Sequence, residues 1–420
     1  WGCIPTKALL KSAQMYTELS HAEDYGLSVG STGFDMGKII DRSRGVVDKM
    51  TGGVKFLLKK NKVDLIMGHG RIEPGNMVVV KDDSGKETSY SYKNVIIATG
   101  GRARTLPNLP VDHERVITYK DALALKQKPE KMLVIGAGAI GIEFAYFYNS
   151  FGTDVTVVEV VENILPIEDD EVSKQLTRSF KKVGMNIKTQ TMVESIERKG
   201  ESVSALLKVG DKSEQWTGDY VLVAIGVQGN VEDIGLEKIG IRPERSFIKV
   251  DEFYRTGVPG VYAIGDIIGP PLLAHVASHE GIIAAEHIAG HNPHPINYSQ
   301  VPGCTYCIPQ VASIGMTERK AKEEGRNYKT GKFPFSASGK AVASNHTEGF
   351  LKVIIDAESE EVLGVHIIHP EATELLAEAS VIMSHEGIAT SVANTIHAHP
   401  TLSEAMMEAF ADSLGQAIHI

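Results

Sequence analysis

The sequence predicts an α/β fold followed by a carboxyl-terminal α+β domain. A glycine-rich turn joins a buried strand to an apolar helix within residues 131–161, and several other apolar runs also end in glycine turns. From about residue 302 onward, strand patterns are followed by separate helical patterns, which is typical of an α+β arrangement. The 420 residues exceed what one ordinary core accommodates, so two or three domains are expected.

The clearest motif lies in the segment that follows the apolar run 132–135. Gly136, Gly138 and Gly141 form a GxGxxG turn, and residues 142–150 continue as an apolar helix. In such a βαβ unit the first glycine makes the turn, the second lets a pyrophosphate approach the backbone, and the third permits close helix–strand packing. This context predicts dinucleotide binding at the amino terminus of the helix, with a purely structural tight turn as the alternative.

Glu159 closes the second strand of this unit, residues 154–159. A carboxylate at that position can accept hydrogen bonds from both ribose hydroxyls of NAD and would repel the 2′-phosphate of NADP. Residues 155–164 contain no Lys or Arg that would hold a phosphate. The sequence therefore favours NAD over NADP, although a solvated acid at a strand end would give the same pattern.

Three further apolar runs end in glycine turns, at residues 94–100, 220–226 and 260–266. The first two are compatible with any buried parallel strand. The third ends in Asp266, at the carboxyl edge of the predicted sheet, where ligands of such sheets bind. A helix is predicted to begin near Leu273.

Composition narrows the class of protein. The 42% hydrophobic and 23% charged residues are typical of a soluble globular protein, and no apolar run approaches the ~20 residues of a membrane span. A net charge of -10 argues against a nucleic-acid partner. Three cysteines are too few for a disulfide-stabilised secreted scaffold, so a reducing compartment is expected. The pair Cys304 and Cys307 lacks a second pair or a histidine cluster, so no metal site is expected.

Two specific motifs stand at the ends of the chain, GCIPTK at residues 2–7 and HAHPTLSE at residues 397–404. Between them lie, in order, the segments 98–100, 136–143 and 263–266. Together they resemble the flavin-dependent pyridine nucleotide–disulfide oxidoreductases, in the group of dihydrolipoamide dehydrogenase and glutathione reductase. The resemblance covers essentially the whole chain, in the family's order.

The resemblance implies two Rossmann-like, three-layer domains for FAD and NAD and a terminal α+β dimerisation domain. The expected segments are residues 1–109 for FAD, 110–226 for NAD, 227–299 for a central segment that completes the FAD domain, and 300–420 for the dimer interface. A homodimer is expected.

The resemblance also implies the roles of individual residues. Cys3 would be the redox sulfur facing the flavin. His399, hydrogen-bonded to Glu404, would be the general base that acts at the partner subunit's disulfide. The FAD set would be Lys7, Gly70, Thr99, Gly100, Gly101, Asp266, Leu273, Ala274 and His275, with Lys7 paired with Glu143. The NAD set would be Gly136, Gly138, Gly141, Glu143, Glu159, Val193 and Gly226. Pro400 suggests a rigid loop before a helix that Thr401 or Ser403 caps.

The implied reaction is oxidation of protein-bound dihydrolipoamide by NAD⁺. Expected partners are the lipoyl domain of a dihydrolipoyl acyltransferase or the H protein of a glycine cleavage system, in a bacterial cytoplasm or a mitochondrial matrix. Two alternatives remain: a glutathione-reductase-like disulfide reductase, for which Glu159 is unfavourable, and a non-catalytic NAD-binding fragment.

Two departures from the family pattern qualify the resemblance. The family's partner cysteine lies five positions before Cys3, and its first FAD fingerprint is also upstream, so we expect that the sequence lacks an amino-terminal segment. Residues 226–230 have no Arg and Pro where many family members do. This difference leaves the local NAD-loop contacts open.

Overall fold

The computed structural model describes residues 1–420, all of the printed sequence. Its helices are α1 (Cys3–Ser20), α2 (Met36–Lys60), α3 (Tyr119–Ala122), α4 (Ala139–Ser150), α5 (Asp170–Lys182), α6 (Ala274–Ile288), α7 (Glu318–Glu323), α8 (Gly339–Ala343), α9 (Ala372–Ser384), α10 (Ala389–Ala393) and α11 (Glu404–Ser413). None of them combines the length and the apolar character that crossing a membrane requires.

The strands are β1 (His69–Glu73), β2 (Met77–Lys81), β3 (Glu87–Ser91), β4 (Val95–Ile97), β5 (Gly101–Ala103), β6 (Val116–Ile117), β7 (Lys131–Ile135), β8 (Asp154–Val158), β9 (Asn186–Lys188), β10 (Met192–Lys199), β11 (Ser202–Val209), β12 (Lys212–Gly218), β13 (Tyr220–Val223), β14 (Val227–Gly229), β15 (Val261–Ala263), β16 (Gly303–Thr305), β17 (Gln310–Gly315), β18 (Tyr328–Pro334), β19 (Phe350–Asp356) and β20 (Val362–His369).

The chain forms two units. The first consists of residues 1–47, 105–225 and 299–420, and the second of residues 48–104 and 226–298. The first unit contains the predicted βαβ motif and the terminal α+β region. The second contains the predicted strands near residues 94–100 and 260–266.

A five-stranded parallel sheet in the order β6-β13-β7-β8-β9 forms one core of the first unit. α4 connects β7 to β8, so the predicted strand–turn–helix–strand unit is confirmed. α4 is apolar around most of its circumference and is buried from Gly141 to Tyr148, because it packs on the sheet and also against α1.

The terminal region is an antiparallel sheet in the order β16-β17-β20-β19-β18. α9 packs on β17 and β20, α11 packs on β18 and β19, and α5 also contacts β20. Because the sheet is covered, β20 is buried along its whole length and shows no alternation of apolar and polar exposure. The predicted α+β arrangement is therefore confirmed.

The second unit contains a three-stranded antiparallel sheet, β1-β2-β3, a parallel pair β4/β15 and an antiparallel pair β5/β14. The predicted strands are shorter than expected. β4 keeps three residues of the run 94–100, and after β15 the chain turns into a short 3-10 helix, Gly265–Ile268. A lysine-rich segment, residues 55–62, covers the exposed carboxyl-terminal end of α2 and the two residues after it.

One buried cation joins the two sheet regions of the first unit. Lys352 of β19 is 2% exposed, and its Nζ lies 3.1 Å from Asp169 Oδ1, 2.7 Å from Glu171 Oε1 and 2.7 Å from Glu318 Oε2. Hydrogen bonds from Lys322 and Lys352 lower the pKa of Glu318 to about 2. Its stabilising contribution is therefore complete above the ordinary carboxyl pKa of about 4 and is lost as the pH falls towards 2.

We predict that Lys352→Met lowers the free energy of unfolding of this unit by about 3–5 kcal/mol. The change removes the ammonium and leaves the buried Asp169 carboxylate without its cation. Urea unfolding of the full-length protein measures the loss.

Lys322→Met is the matched control, because Lys322 donates to the same Glu318 carboxylate but its side chain is 63% exposed. Because an exposed ion pair contributes little to stability, the free energy lost in Lys322→Met should be far smaller than that lost in Lys352→Met. Equal losses in the two variants would contradict the role assigned to Lys352.

Candidate active site

The first part of the site is an ion pair between α1 and α4. Lys7 Nζ lies 2.9 Å from both carboxylate oxygens of Glu143. The Glu143 side chain is 6% exposed and that of Lys7 is 29% exposed. The predicted pairing of these two residues is therefore present, and it brings the opening motif to the helix that follows the glycine turn.

Cys3 is the first residue of α1, and its free thiol lies on an exposed residue. The motif is regular helix from this point. Pro5 is accommodated in the first turn, where its missing N–H breaks no intrahelical bond, and the Thr6 hydroxyl donates to the Gly2 carbonyl at 2.7 Å. The GCIPTK motif thus presents a thiol at the amino terminus of a helix.

The glycine turn has the geometry that the sequence predicts. Gly136 has a φ of +99°, and a side chain at Gly141 would overlap the Gly136 carbonyl. Gly138, by contrast, has open space where its side chain would be, and no side chain caps the helix that starts beside it. Glu159 reaches this turn, because its Oε2 accepts the Ala137 N–H at 2.8 Å. The glycine turn and the Glu159 carboxylate are therefore joined by a hydrogen bond.

The other two predicted NAD residues lie outside the turn itself, in β10 and between β13 and β14. The Val193 side chain is 4% exposed and packs in an apolar cluster between β10 and its neighbours, so only its backbone is available to a ligand. Gly226 belongs to the second unit, has a φ of +118° and accepts the Arg104 N–H at 3.0 Å.

Three of the predicted FAD residues, Thr99, Gly100 and Gly101, form a turn in the second unit. Hydrogen bonds to Asn230 stabilise this turn. The Thr99 hydroxyl donates to the Asn230 carbonyl, and the Asn230 amide donates to the Thr99 carbonyl, both at 2.9 Å. The Asn230 N–H also donates to the carbonyl of Gly100, whose φ is +70°. A side chain at Gly101 would lie 2.6 Å from Val227 Cγ1. Residues 226–230, which depart from the family pattern, therefore build this turn.

Gly70, also assigned to FAD, lies in β1 opposite Val80 of β2. Leu273 precedes α6 as its capping position, while Ala274 and His275 are exposed in its first turn. No side chain caps that turn. The start of α6 thus offers backbone amides close in sequence to Asp266.

Asp266 is half-buried, and burial raises the pKa of its carboxyl. Its turn is held by Glu280, a residue to which the sequence patterns assigned no role. Glu280 Oε2 accepts the Gly265 N–H at 2.6 Å and its Oε1 accepts the Tyr298 hydroxyl at 3.0 Å. A signal was present: Glu280 shares the buried face of α6 with Val276 and Ala284, and a carboxylate on such a face needs hydrogen-bond partners.

The histidine–carboxylate pair of the terminal motif is formed. His399 Nδ1 lies 2.9 Å from Glu404 Oε1, and the Thr401 N–H donates to Glu404 Oε2 at 2.8 Å. Burial opposes ionisation, but the Thr401 N–H and the His399 ring together lower the pKa of Glu404. Because the carboxylate accepts, the Nδ1–H donates and Nε2 is left as the basic nitrogen. The His399 side chain is 77% exposed.

The predicted capping of α11 is wrong. Ser403 occupies the capping position but makes no capping hydrogen bond. The Thr401 hydroxyl donates instead to the Ala398 carbonyl at 2.7 Å, within the loop. Glu404 is the residue that joins the loop to the helix.

A second histidine anchors the same loop. His397 Nε2 lies 2.7 Å from Glu378 Oε1, its Nδ1 lies 2.9 Å from the Thr395 carbonyl, and its side chain is 7% exposed. The sequence places this histidine in the terminal motif but gives it no role. In the structure it fastens the loop to α9.

The remaining cysteines do not form a reactive pair. Burial raises the pKa of Cys304 to about 11 and that of Cys307 well above its ordinary value. Both thiols are therefore protonated at neutral pH. The structure contains no group of three or more His, Cys, Asp or Glu side chains arranged to hold a metal ion.

Comparison with protein families gives two matches. Residues 1–281 match the pyridine nucleotide-disulphide oxidoreductase family, and residues 301–410 match the dimerisation domain of the same family. The second match supports the predicted homodimer.

Similar proteins are named dihydrolipoyl dehydrogenase. One from Zymomonas mobilis is 48% identical over 421 residues, which span 100% of this chain and 90% of that protein. One from Bacillus subtilis is 41% identical, spanning 100% of this chain and 90% of that protein. A mitochondrial one from Pisum sativum is 38% identical, spanning 100% and 84%.

Solved structures have the same fold. LpdA from Mycobacterium tuberculosis superposes with a TM-score of 0.90 at 26% identity, covering 97% of this chain and 89% of that one. The flavoprotein disulfide reductase RclA from Escherichia coli, at 24% identity, gives 0.86 over 98% of this chain and 89% of that one, which shows the fold alone.

The predicted fold class and the predicted class of enzyme, an oxidoreductase with FAD and NAD as cofactors, are confirmed by these matches. The chain belongs to the pyridine nucleotide–disulphide oxidoreductase family, and proteins named dihydrolipoyl dehydrogenase are among its relatives.

Proposed function

We propose that the protein oxidises dihydrolipoamide, carried on a lipoyl domain, with NAD⁺ as the acceptor. The two substrate thiols become a disulfide, and NAD⁺ gains a hydride while one proton is released. The observation that carries the proposal is the His399–Glu404 pair, in which the carboxylate fixes the tautomer of an exposed imidazole, in a chain whose relatives are named dihydrolipoyl dehydrogenase. The proposed partners are a dihydrolipoyl acyltransferase or a glycine-cleavage H protein.

The residues assigned to FAD fit a dinucleotide. Gly100 has a positive φ with open space around it, and the amides that open α6 carry no side-chain cap. We assign binding to Gly70, Thr99, Gly100, Gly101, Asp266 and residues 273–275, with Lys7 beside the ring. When bound, FAD supplies the two-electron transfer between sulfur and nicotinamide. Glu280 stabilises the turn that contains Asp266 by accepting the Gly265 N–H.

The glycine turn before α4 fits NAD. The open space at Gly138 leaves room for the pyrophosphate, and the uncapped amides of α4 bind its oxygens. Glu159 lies at the same turn, where it accepts ribose hydroxyls and repels a 2′-phosphate. Its position also makes the glutathione-reductase-like alternative, which implies NADP, the weaker one.

Cys3 and His399 carry out the thiol chemistry of the proposed reaction. Cys3 is proposed as one sulfur of a redox disulfide, and it lies exposed at the amino terminus of α1. His399 Nε2 takes the proton of a substrate thiol, whose sulfur then attacks the disulfide. The second substrate thiol completes the exchange, so that the substrate leaves as a disulfide and the protein keeps two reduced sulfurs. The exposed ring of His399 supports a site shared between the subunits of a homodimer.

We also propose the four segments with boundaries after residues 109, 226 and 299. The association of residues 48–104 with residues 226–298 in one unit supports a central segment that completes the first domain. The bacterial and mitochondrial relatives support a bacterial cytoplasm or a mitochondrial matrix as the compartment.

The first prediction separates folding from nucleotide binding at the glycine turn. Gly138→Ala should leave the melting temperature unchanged, because its side chain meets nothing in the protein, yet weaken NADH binding roughly 5- to 150-fold by overpacking against the pyrophosphate. Gly141→Ala should instead lower the melting temperature, since it overlaps the Gly136 carbonyl. Fluorescence titration with NADH and thermal melts measure both effects. Unaltered NADH affinity in Gly138→Ala would contradict the assignment of NAD to this glycine turn.

The second prediction concerns nucleotide preference. Glu159→Gln keeps an oxygen that accepts the Ala137 N–H but removes the charge, so the preference for NADH over NADPH should narrow by at least about fivefold. Steady-state kinetics with both nucleotides measure the ratio. Glu162→Gln, an exposed acid three residues on, is the control and should leave the ratio unchanged. An unchanged ratio in Glu159→Gln would show that this carboxylate does not select NAD.

The third prediction separates the two half-reactions. In the full-length protein, His399→Gln should slow oxidation of the dithiol about 10²- to 10⁴-fold, the usual effect of losing a general base. Glu404→Gln should slow it less, because the imidazole remains. Reaction with NADH should survive both changes, since no thiol proton moves there. Stopped-flow absorbance follows each half-reaction.

His385→Gln, another exposed histidine of the terminal region, is the control and should leave both half-reactions unchanged. Equal loss of both half-reactions in His399→Gln would mean that His399 is structural.

A further inference from the structure

Tyr306 contacts both members of the Lys7–Glu143 pair. It lies between β16 and β17, at the start of the terminal region. Its backbone N–H donates to Glu143 Oε1 at 3.0 Å, and Lys7 Nζ lies 4.3 Å from the centroid of its ring. One residue of the terminal region therefore touches both charges that join α1 to α4.

The geometry leaves the Lys7 ammonium few directions in which to move. Two of its N–H groups face the two oxygens of Glu143, and the face of the Tyr306 ring covers another side. A cation over an aromatic face is attracted by the negative charge density above the ring. Burial raises the pKa of Tyr306 to about 12, so the ring stays a neutral phenol at physiological pH.

The hydroxyl of Tyr306 has a different neighbour. It lies against the thiol of Cys304, which is protonated at neutral pH. The ring face and the hydroxyl therefore make separable contacts, and substitution can remove one without the other.

We propose that Tyr306 is a positioning residue, whose ring face holds the Lys7 ammonium in place. The consequence of this contact for the flavin rests on the proposed function, which places Lys7 beside the flavin ring. A fixed cation there favours the electron-rich reduced state, so freeing Lys7 shifts the flavin midpoint potential to more negative values. The terminal region thereby contributes to redox tuning within its own subunit.

The test compares the reactivity of Lys7 towards acetic anhydride in the full-length, FAD-loaded protein, with the modified fraction read by peptide mass spectrometry. Tyr306→Leu removes the ring but keeps the backbone N–H, and Lys7 should react about 2- to 30-fold faster. Tyr306→Phe keeps the ring face and removes the hydroxyl, so Lys7 should react at the wild-type rate. Exposed Lys11, one helical turn further along α1, is the internal standard.

The flavin midpoint potential is measured on the same variants. It should move to a more negative value in Tyr306→Leu and stay unchanged in Tyr306→Phe, a difference that a merely structural side chain would not produce. Tyr306→Met, which also lacks a ring, must agree with Tyr306→Leu and replaces it where that variant does not fold.

Unchanged Lys7 reactivity without the ring, or equal acceleration in Tyr306→Phe, overturns the inference. Faster labelling without a shift in potential overturns the positioning role towards the flavin. Neither result would contradict the proposed reaction. Turnover of dihydrolipoamide with NAD⁺ tests that reaction separately.

Discussion

The buried carboxylate of Glu143 is the constraint on which the arrangement of the first unit depends. A carboxylate in such a place is unfavourable by several kcal/mol unless it is paired, and here a lysine from α1 and a backbone N–H from the terminal region satisfy it. Gly141 lies two residues earlier on the same helix, where it closes against the nucleotide turn. One turn of α4 therefore connects the nucleotide turn, the thiol-bearing helix and the terminal region. The Lys352 network adds a second connection between α5 and the terminal sheet.

Local signals were sufficient to predict the features built from neighbouring residues. The GxGxxG turn and its flanking strands follow from glycine conformations and apolar runs within about thirty residues. The His399–Glu404 pair spans five residues of one loop, and its motif implied the contact that the structure shows. The ends of elements were less predictable. β4 keeps three residues, because the chain turns at Thr99 and Gly100 to meet Asn230, and the helix after Pro400 begins without the predicted hydroxyl cap.

Contacts between distant segments could not be predicted from the sequence without the fold. Lys352 and Asp169 are separated by 183 positions, and Tyr306 and Glu143 by 163. A tyrosine in a loop carries no sign of its partners. A lysine in an apolar strand and a glutamate on the buried face of a helix, such as Glu280, do demand a hydrogen-bond partner, although they do not identify it. Buried polar residues in otherwise apolar patterns are thus the best sequence signal for such positioning contacts.

In the proposed reaction, electrons pass from a lipoyl dithiol to NAD⁺. Anaerobic titration of the full-length protein with dihydrolipoamide, followed by addition of NAD⁺ or NADP⁺, tests it most directly. The dithiol should change the visible flavin absorbance, NAD⁺ should restore it with formation of NADH, and NADP⁺ should do so poorly. A flavin absorbance that stays unchanged with dihydrolipoamide but changes with NADPH and glutathione disulfide would contradict the proposed reaction.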